Sequence, residues 1–279
     1  MSDPLVSTAW LEAHLNDPDL IVLDATYFLP SEGRDALAEF RAAHIPGARF
    51  FDIDAIADDA TDLPHMVPSP ARFARLVGTL GIGNDKRLVF YDQRGIFSAP
   101  RGWWLMGLYG HDAACVLDGG LPKWRAENRA LEAGVPPPLT PATFRPDLRA
   151  ARLRGVGDML ANVQTGAELV LDARAAPRFR GEAAEPRAGL RTGHIPGAAN
   201  LPFGELLAED RTMLPPDTLR ARLAAAGADG SRPVVTSCGS GVSAAVLTLA
   251  MQRAGLPIGA LYDGSWAEWG GRADTPVAR

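Results

Sequence analysis

The second half of this 279-residue chain repeats the first, and that repetition restricts the fold more than any other feature. Val22-Leu23-Asp24-Ala25 returns as Val170-Leu171-Asp172-Ala173, and His44-Ile45-Pro46-Gly47-Ala48 returns as His194-Ile195-Pro196-Gly197-Ala198. Leu88-Val89-Phe90-Tyr91-Asp92 aligns with the run that ends at Cys238, and Leu117-Asp118-Gly119-Gly120 aligns with Tyr262-Asp263-Gly264-Ser265. The separations stay between 145 and 150 residues, a drift that loop insertions produce. Each copy alternates short apolar runs with helix-like segments, among them 69–80, 100–109, 216–226 and 243–254, which is the pattern of a mostly parallel sheet with helices on both faces. The proline-rich stretch from Gly134 to Pro141 suits neither helix nor central strand and reads as a stiff linker. The expected organisation is therefore an α/β domain over 1–135, a linker over 136–150 and a second α/β domain over 151–279.

Hydrophobic residues at 47% and charged residues at 22% describe a globular chain able to bury two cores. A net charge of −5 argues against a general nucleic-acid surface, so an anionic ligand must be met by local cations. No apolar run approaches a membrane span and the first residues do not resemble a signal segment, so a cytoplasmic protein without a membrane partner is expected. In that compartment the two cysteines, Cys115 and Cys238, are expected as free thiols.

Cys238 is the residue that points to chemistry. Val234-Val235-Thr236-Ser237 is strand-like, Gly239 and Gly241 allow a tight turn, and an alanine-rich helix pattern follows Ser243. Glycines let successive N–H groups turn inward, and the helix start adds the positive end of its dipole. Such a cradle favours a thiolate over a thiol, and the thiolate is the nucleophile. The same N–H groups of Gly239, Gly241, Val242 and Ser243 would hold a persulfide or a bound substrate anion. Cys115 lies inside the apolar run Ala113–Leu117 with no turn beside it and reads as packing.

Two copies that each carry His-Ile-Pro-Gly-Ala, with a cysteine loop only in the second, resemble the tandem-domain rhodanese family over nearly the whole chain. Within it, the uncharged loop Cys238-Gly239-Ser240-Gly241-Val242-Ser243 is similar to the 3-mercaptopyruvate sulfurtransferase branch. Thiosulfate sulfurtransferases usually carry basic residues directly after the cysteine, where a dianionic donor needs charge near its sulfur. The resemblance implies two tandem rhodanese-like domains and a persulfide on Cys238, with sulfur passing to cyanide, a thiol or thioredoxin. It assigns substrate recognition to Arg178 and Arg187, whose guanidinium groups suit a carboxylate. It also implies a proton relay of Ser240, His65 and Asp54 bridging the domains. His65 lies in Asp62–Pro68, a loop read as having no counterpart in the second copy. The small-molecule donor would need no cofactor and no metal, and one chain would suffice as a monomer, since a tandem repeat forms its own pseudo-dimer.

In the first copy Asp92 stands at the cysteine position, and a carboxylate cannot carry a transferable sulfur, so that copy reads as non-catalytic. His44 and His194, shared by both copies, read as structural. His14 and His111 read as surface or capping residues, and Asp24, Asp172, Asp118 and Asp263 as turn or cap residues. A cysteine phosphatase would need an arginine six residues after the nucleophile, where Ala244 stands. Two alternatives stay open: a thiosulfate sulfurtransferase, and a binding module that uses the same fold without catalysis.

Overall fold

A computed structural model describes residues 3–279. The first sheet contains β1 (Leu5–Val6), β2 (Leu20–Asp24), β3 (Arg49–Phe50), β4 (Arg87–Tyr91) and β5 (Ala114–Leu117) in the order β1-β5-β4-β2-β3. The second repeats this order as β6-β10-β9-β7-β8, with β6 (Leu153–Arg154), β7 (Leu169–Asp172), β8 (Ala199–Asn200), β9 (Val234–Ser237) and β10 (Ala260–Tyr262). Every strand pairing in both sheets is parallel. The central strands β4 and β9 are buried along nearly their whole length because helices cover both of their faces, and Thr236 and Ser237 of β9 are buried with the rest.

The helix-like segments form helices at Pro70–Thr79, Ala99–Leu108, Pro216–Ala225 and Ala244–Arg253, each within one residue of its expected bounds. Ser69 starts the first by accepting the Arg72 N–H on its hydroxyl. Ala99–Leu108 and Ala244–Arg253 pack against each other between the two sheets. Both are apolar nearly all round, as suits helices buried on every side. One apolar cluster consequently runs through both copies and includes Phe90, Trp104, Leu105, Val246, Leu247 and Leu249. At about 1.5–3 kcal/mol for each large apolar side chain buried, this shared core holds the copies together.

Residues 135–149 contain no strand or helix. They are nonetheless fastened to the first copy: the Ala142 N–H donates to the Gly78 carbonyl at 2.9 Å, and Phe144 is buried against Phe73. His44 and His194 are indeed equivalent: each ring stacks on a phenylalanine, Phe40 or Phe179, and its Nδ1 meets that residue's carbonyl at 2.9 Å. Of the two roles expected for His111 the surface one fails, since it is buried at 4% exposure, while its backbone N–H caps the helix end by donating to the Met106 carbonyl at 2.9 Å. No helix of the described residues is long and apolar enough to cross a membrane.

Candidate active site

Cys238 is the first residue after β9 and is buried, only 2% exposed. Its carbonyl accepts the Trp266 N–H at 3.0 Å, and the Gly239 carbonyl accepts the Ala267 N–H at 2.8 Å, both donors lying in the helix Ser265–Trp269. Ser265 accepts the Cys238 N–H at 3.3 Å and donates to the Tyr262 carbonyl at 2.9 Å. These contacts fix the loop's carbonyls. Among the described residues, the N–H groups of Gly239 to Ser243 donate to no protein acceptor, so they remain able to bind an anion. Gly241 has φ of +76°, and a Cβ there would meet Arg101 Nη1 at 3.1 Å and the Asp263 carbonyl at 3.2 Å. Only glycine meets both demands.

A cavity of about 210 Å³ opens over this loop between the two copies. Cys238, Gly239, Ser240, Val242 and Ser243 line one side, and Tyr27 and Phe97 of the first copy line the other. Arg178 and Arg187 complete the wall. A Cβ on Gly239 would lie 3.2 Å from Arg178 Nη2 and 4.0 Å from Arg187 Nη1, so both guanidinium groups stand over the loop. They differ in their partners. Arg178 is ion-paired with the buried Glu185, which also holds Arg174 at 2.8 Å, and Arg174 holds Asp172 at 2.7 Å. Arg187 donates to the Tyr27 hydroxyl at 3.2 Å and has no carboxylate partner among the described residues. Burial pushes the Tyr27 phenol up by more than Arg187 lowers it, so its proton stays on at neutral pH. Arg180 forms only an exposed pair with Glu182.

His65, Ser240 and Asp54 come together across the copies. His65 Nδ1 lies 3.0 Å from Ser240 Oγ and 3.2 Å from the Ser240 carbonyl, while Nε2 lies 3.0 Å from Asp54 Oδ1. Asp54 sits in the short helix Ile53–Ile56, whose first N–H groups are capped by the Asp52 carboxylate. Its side chain is 65% exposed, whereas the His65 ring is sealed and meets the Tyr27 ring edge-on at 4.5 Å. His65 has φ of +61°, an uncommon conformation for a residue other than glycine.

The sequence profile of the rhodanese-like domain matches residues 7–127 and again residues 156–272. The chain belongs to the rhodanese family. A 3-mercaptopyruvate sulfurtransferase of Escherichia coli (strain K12) is 42% identical over 276 residues, covering 98% of this chain and 96% of that protein. A protein of Arabidopsis thaliana, thiosulfate/3-mercaptopyruvate sulfurtransferase 1, mitochondrial, is 38% identical over 296 residues, covering 99% and 78%. The crystal structure of SseA from Escherichia coli, described as the rhodanese fold of 3-mercaptopyruvate sulfotransferases, superposes with a TM-score of 0.86 at 38% identity. That superposition covers 95% of this chain and 99% of the other.

Comparison of the two rhodanese copies corrects one expectation. The His65 loop does have a counterpart, centred on Arg211, 146 residues further on. Arg211 has φ of +68° and lies against Gly95 of the Asp92 loop, as His65 lies against Ser240 of the cysteine loop. Val67 donates its N–H to Asp263 at 2.6 Å, and Met213 donates its N–H to Asp118 at 2.8 Å. Asp118 and Asp263 are therefore not simple turn residues, because each accepts from the opposite copy. Asp24 and Asp172 do fulfil the turn role, each accepting the N–H two residues on.

Four residues at this rhodanese site were not found from sequence. Tyr27 has no motif around it, and Glu185 sits in a run of mixed charge. Asp263 was visible as a repeated position but not as an interdomain acceptor. Arg101 gave the clearest missed signal: it is the single charge in the apolar helix Ala99–Leu108, and it is fully buried. A charge is seldom buried unless it has a partner.

Proposed function

We propose that this chain is a 3-mercaptopyruvate sulfurtransferase that carries sulfur as a persulfide on Cys238 and releases pyruvate. The observation that carries the reading is the placement of Arg178 and Arg187 over an uncharged loop beside the buried Cys238. A donor with its carboxylate several atoms from its sulfur matches that spacing, and the similarity to the E. coli enzyme supports the same donor.

Arg187 and Arg178 bind the donor carboxylate and keto oxygen, which brings the donor sulfur to Cys238 Sγ. The thiolate attacks that sulfur, a sulfur–sulfur bond forms, and the carbon–sulfur bond breaks with its electron pair left on carbon as the pyruvate enolate. His65 holds a proton on Nε2 toward Asp54, so its Nδ1 accepts the Ser240 hydroxyl proton. Ser240 in turn takes the donor's thiol proton and passes it to the enolate carbon, and His65 returns the hydroxyl proton to Ser240. The products are pyruvate and an anionic persulfide cradled by the loop N–H groups. An acceptor thiol, cyanide or thioredoxin then attacks the outer sulfur and restores the Cys238 thiolate. The site is complete within one chain, which supports a monomer, and both cysteines are free thiols, which suits a reducing compartment such as the cytoplasm. Residues 136–150 serve as the linker between the two rhodanese domains.

The deciding measurement is intact mass after mixing with 3-mercaptopyruvate: a gain of about 32 Da, one sulfur atom, with one pyruvate released. Cys238→Ser should lose the gain and Cys115→Ser should keep it. Sulfur carried on Cys115 in the Cys238→Ser protein would overturn the assignment, and faster turnover of thiosulfate than of 3-mercaptopyruvate would replace the donor.

A further inference from the structure

Arg101 lies behind the cysteine loop and ties three segments together. Its Nη2 donates to the His65 carbonyl at 2.6 Å and to Asp263 Oδ1 at 2.8 Å, and its Nη1 reaches the Gly241 carbonyl at 3.3 Å. Asp263 uses its second oxygen to accept the Val67 N–H at 2.6 Å. The pair thus holds the chain at the His65 carbonyl and again at Val67, two residues on, while touching the loop that carries Ser240. The Trp104 ring covers the guanidinium at 4.7 Å.

Two physical points separate this arrangement from ordinary packing. A buried ion pair adds little net stability over apolar residues of the same volume, but it fixes direction. His65 also needs that direction, because its left-handed backbone persists only where its surroundings over-determine it. The pseudo-equivalent contact supplies a comparison. Asp118 accepts the Met213 N–H in the same way, but its arginine, Arg253, stands 3.4 Å away and is partly exposed. The buried arginine that reaches both the loop and its clasp occurs on the cysteine side, where a proton must be moved.

We infer that Arg101 and Asp263 are positioning residues for the relay, holding His65 Nδ1 on Ser240 Oγ across the domain interface. The assignment rests on the reading of His65 as the relay base.

The test is a double-mutant cycle read by single-turnover persulfide formation from 3-mercaptopyruvate. Arg101→Met keeps the stem and removes the charge; Asp263→Asn keeps an acceptor for Val67 and removes the charge. Each should slow persulfide formation at saturating donor by about tenfold or more, with half-saturation unchanged because Arg178 and Arg187 are untouched. Neither should slow the reaction further in a His65→Ala background, and Arg101→Lys should recover part of the loss. Equal slowing in both backgrounds, or none in either, would overturn the assignment while leaving the relay standing. A wild-type rate for His65→Ala alone would remove the relay itself, whatever the Arg101 variants do. If Arg101→Met does not fold, Asp263→Asn in the same cycle decides.

Discussion

Asp92 stands in the first copy where Cys238 stands in the second, and its carboxylate fills its own loop's anion cradle. Asp92 Oδ2 accepts the N–H groups of Phe97, Ser98 and Ala99 at 2.8 to 2.9 Å, and Oδ1 accepts that of Arg94 at 2.9 Å. In each loop a glycine with positive φ stands three residues on, Gly95 after Asp92 and Gly241 after Cys238. The first copy is therefore closed by a built-in anion, while the N–H groups of Gly239 to Ser243 in the second meet no protein acceptor among the described residues.

That relationship gives a stability prediction. Cys238→Asp should abolish sulfur transfer yet unfold at higher denaturant than Cys238→Ser, because charge-assisted hydrogen bonds to the loop contribute about 1–3 kcal/mol. The midpoint should move without a change in slope. Should Cys238→Asp prove the less stable of the two, the second loop is not an anion cradle.

The two arginines that stand over the cysteine loop should not be equal in their effect on 3-mercaptopyruvate use. Arg178 shares its charge with Glu185, whereas Arg187 meets only the Tyr27 hydroxyl. Arg187→Ala should therefore cost more kcat/KM for 3-mercaptopyruvate than Arg178→Ala, with the larger loss about ten- to a hundredfold, or 1.5–3 kcal/mol. Arg187→Lys should recover little, since lysine cannot make the planar two-point contact. Steady-state kinetics of the three variants decide the order, and an equal or reversed loss would mean that ion pairing does not weaken Arg178.

The parts of this molecule that were legible in its sequence are those that local pattern encodes. Repeated blocks located both sheets, and the glycine turn between an apolar run and a helix located Cys238. The pairing of the His65 and Arg211 loops was hidden because their likeness lies in the backbone, at φ of +61° and +68°, and not in side-chain type. Arg101 and Asp263 are 162 residues apart, and no short-range pattern links a buried charge in one domain to its partner in the other. The same limit applied to Tyr27, which reaches Arg187 from 160 residues away.

A pH dependence of stability follows from Asp24, which ends β2 just before the segment carrying Tyr27. Asp24 is fully buried, Thr26 serves its Oδ1, and among the described residues no group makes a hydrogen bond of good geometry to Oδ2, although the Tyr91 phenol lies close enough to offset part of the burial. Burial raises its carboxyl to about 6 from an ordinary 3.8. Between those values the folded chain keeps a proton that the unfolded chain has lost. The associated stability is thus complete below the unfolded value, declines as pH rises toward 6 and is gone above it. At about 1.4 kcal/mol per pH unit, the loss is of order 3 kcal/mol. Asp24→Asn should escape it, so its denaturant stability relative to wild type should rise between pH 4 and pH 7. A difference independent of pH would mean that Asp24 does not titrate in that window.

Donor choice should turn on Gly239, because its missing side chain leaves the space in which Arg178 stands. A Cβ there would approach Arg178 Nη2 to 3.2 Å, tighter than most Cβ contacts, so even Gly239→Ala should displace the guanidinium and weaken 3-mercaptopyruvate use. Gly239→Arg goes further, setting a cation next to the sulfur and pushing Arg178 away by size and like charge. Thiosulfate places its sulfonate beside the transferred sulfur, so it should gain from the first effect while 3-mercaptopyruvate loses from the second. Adding Ser240→Lys extends the shift but also removes the hydroxyl that meets His65, which makes the single variant the cleaner comparison. The ratio of kcat/KM for thiosulfate to that for 3-mercaptopyruvate should rise about tenfold or more in Gly239→Arg, the equivalent of roughly 1.4 kcal/mol. An unchanged ratio would place the determinant of donor choice away from the loop, in the arginine pair alone.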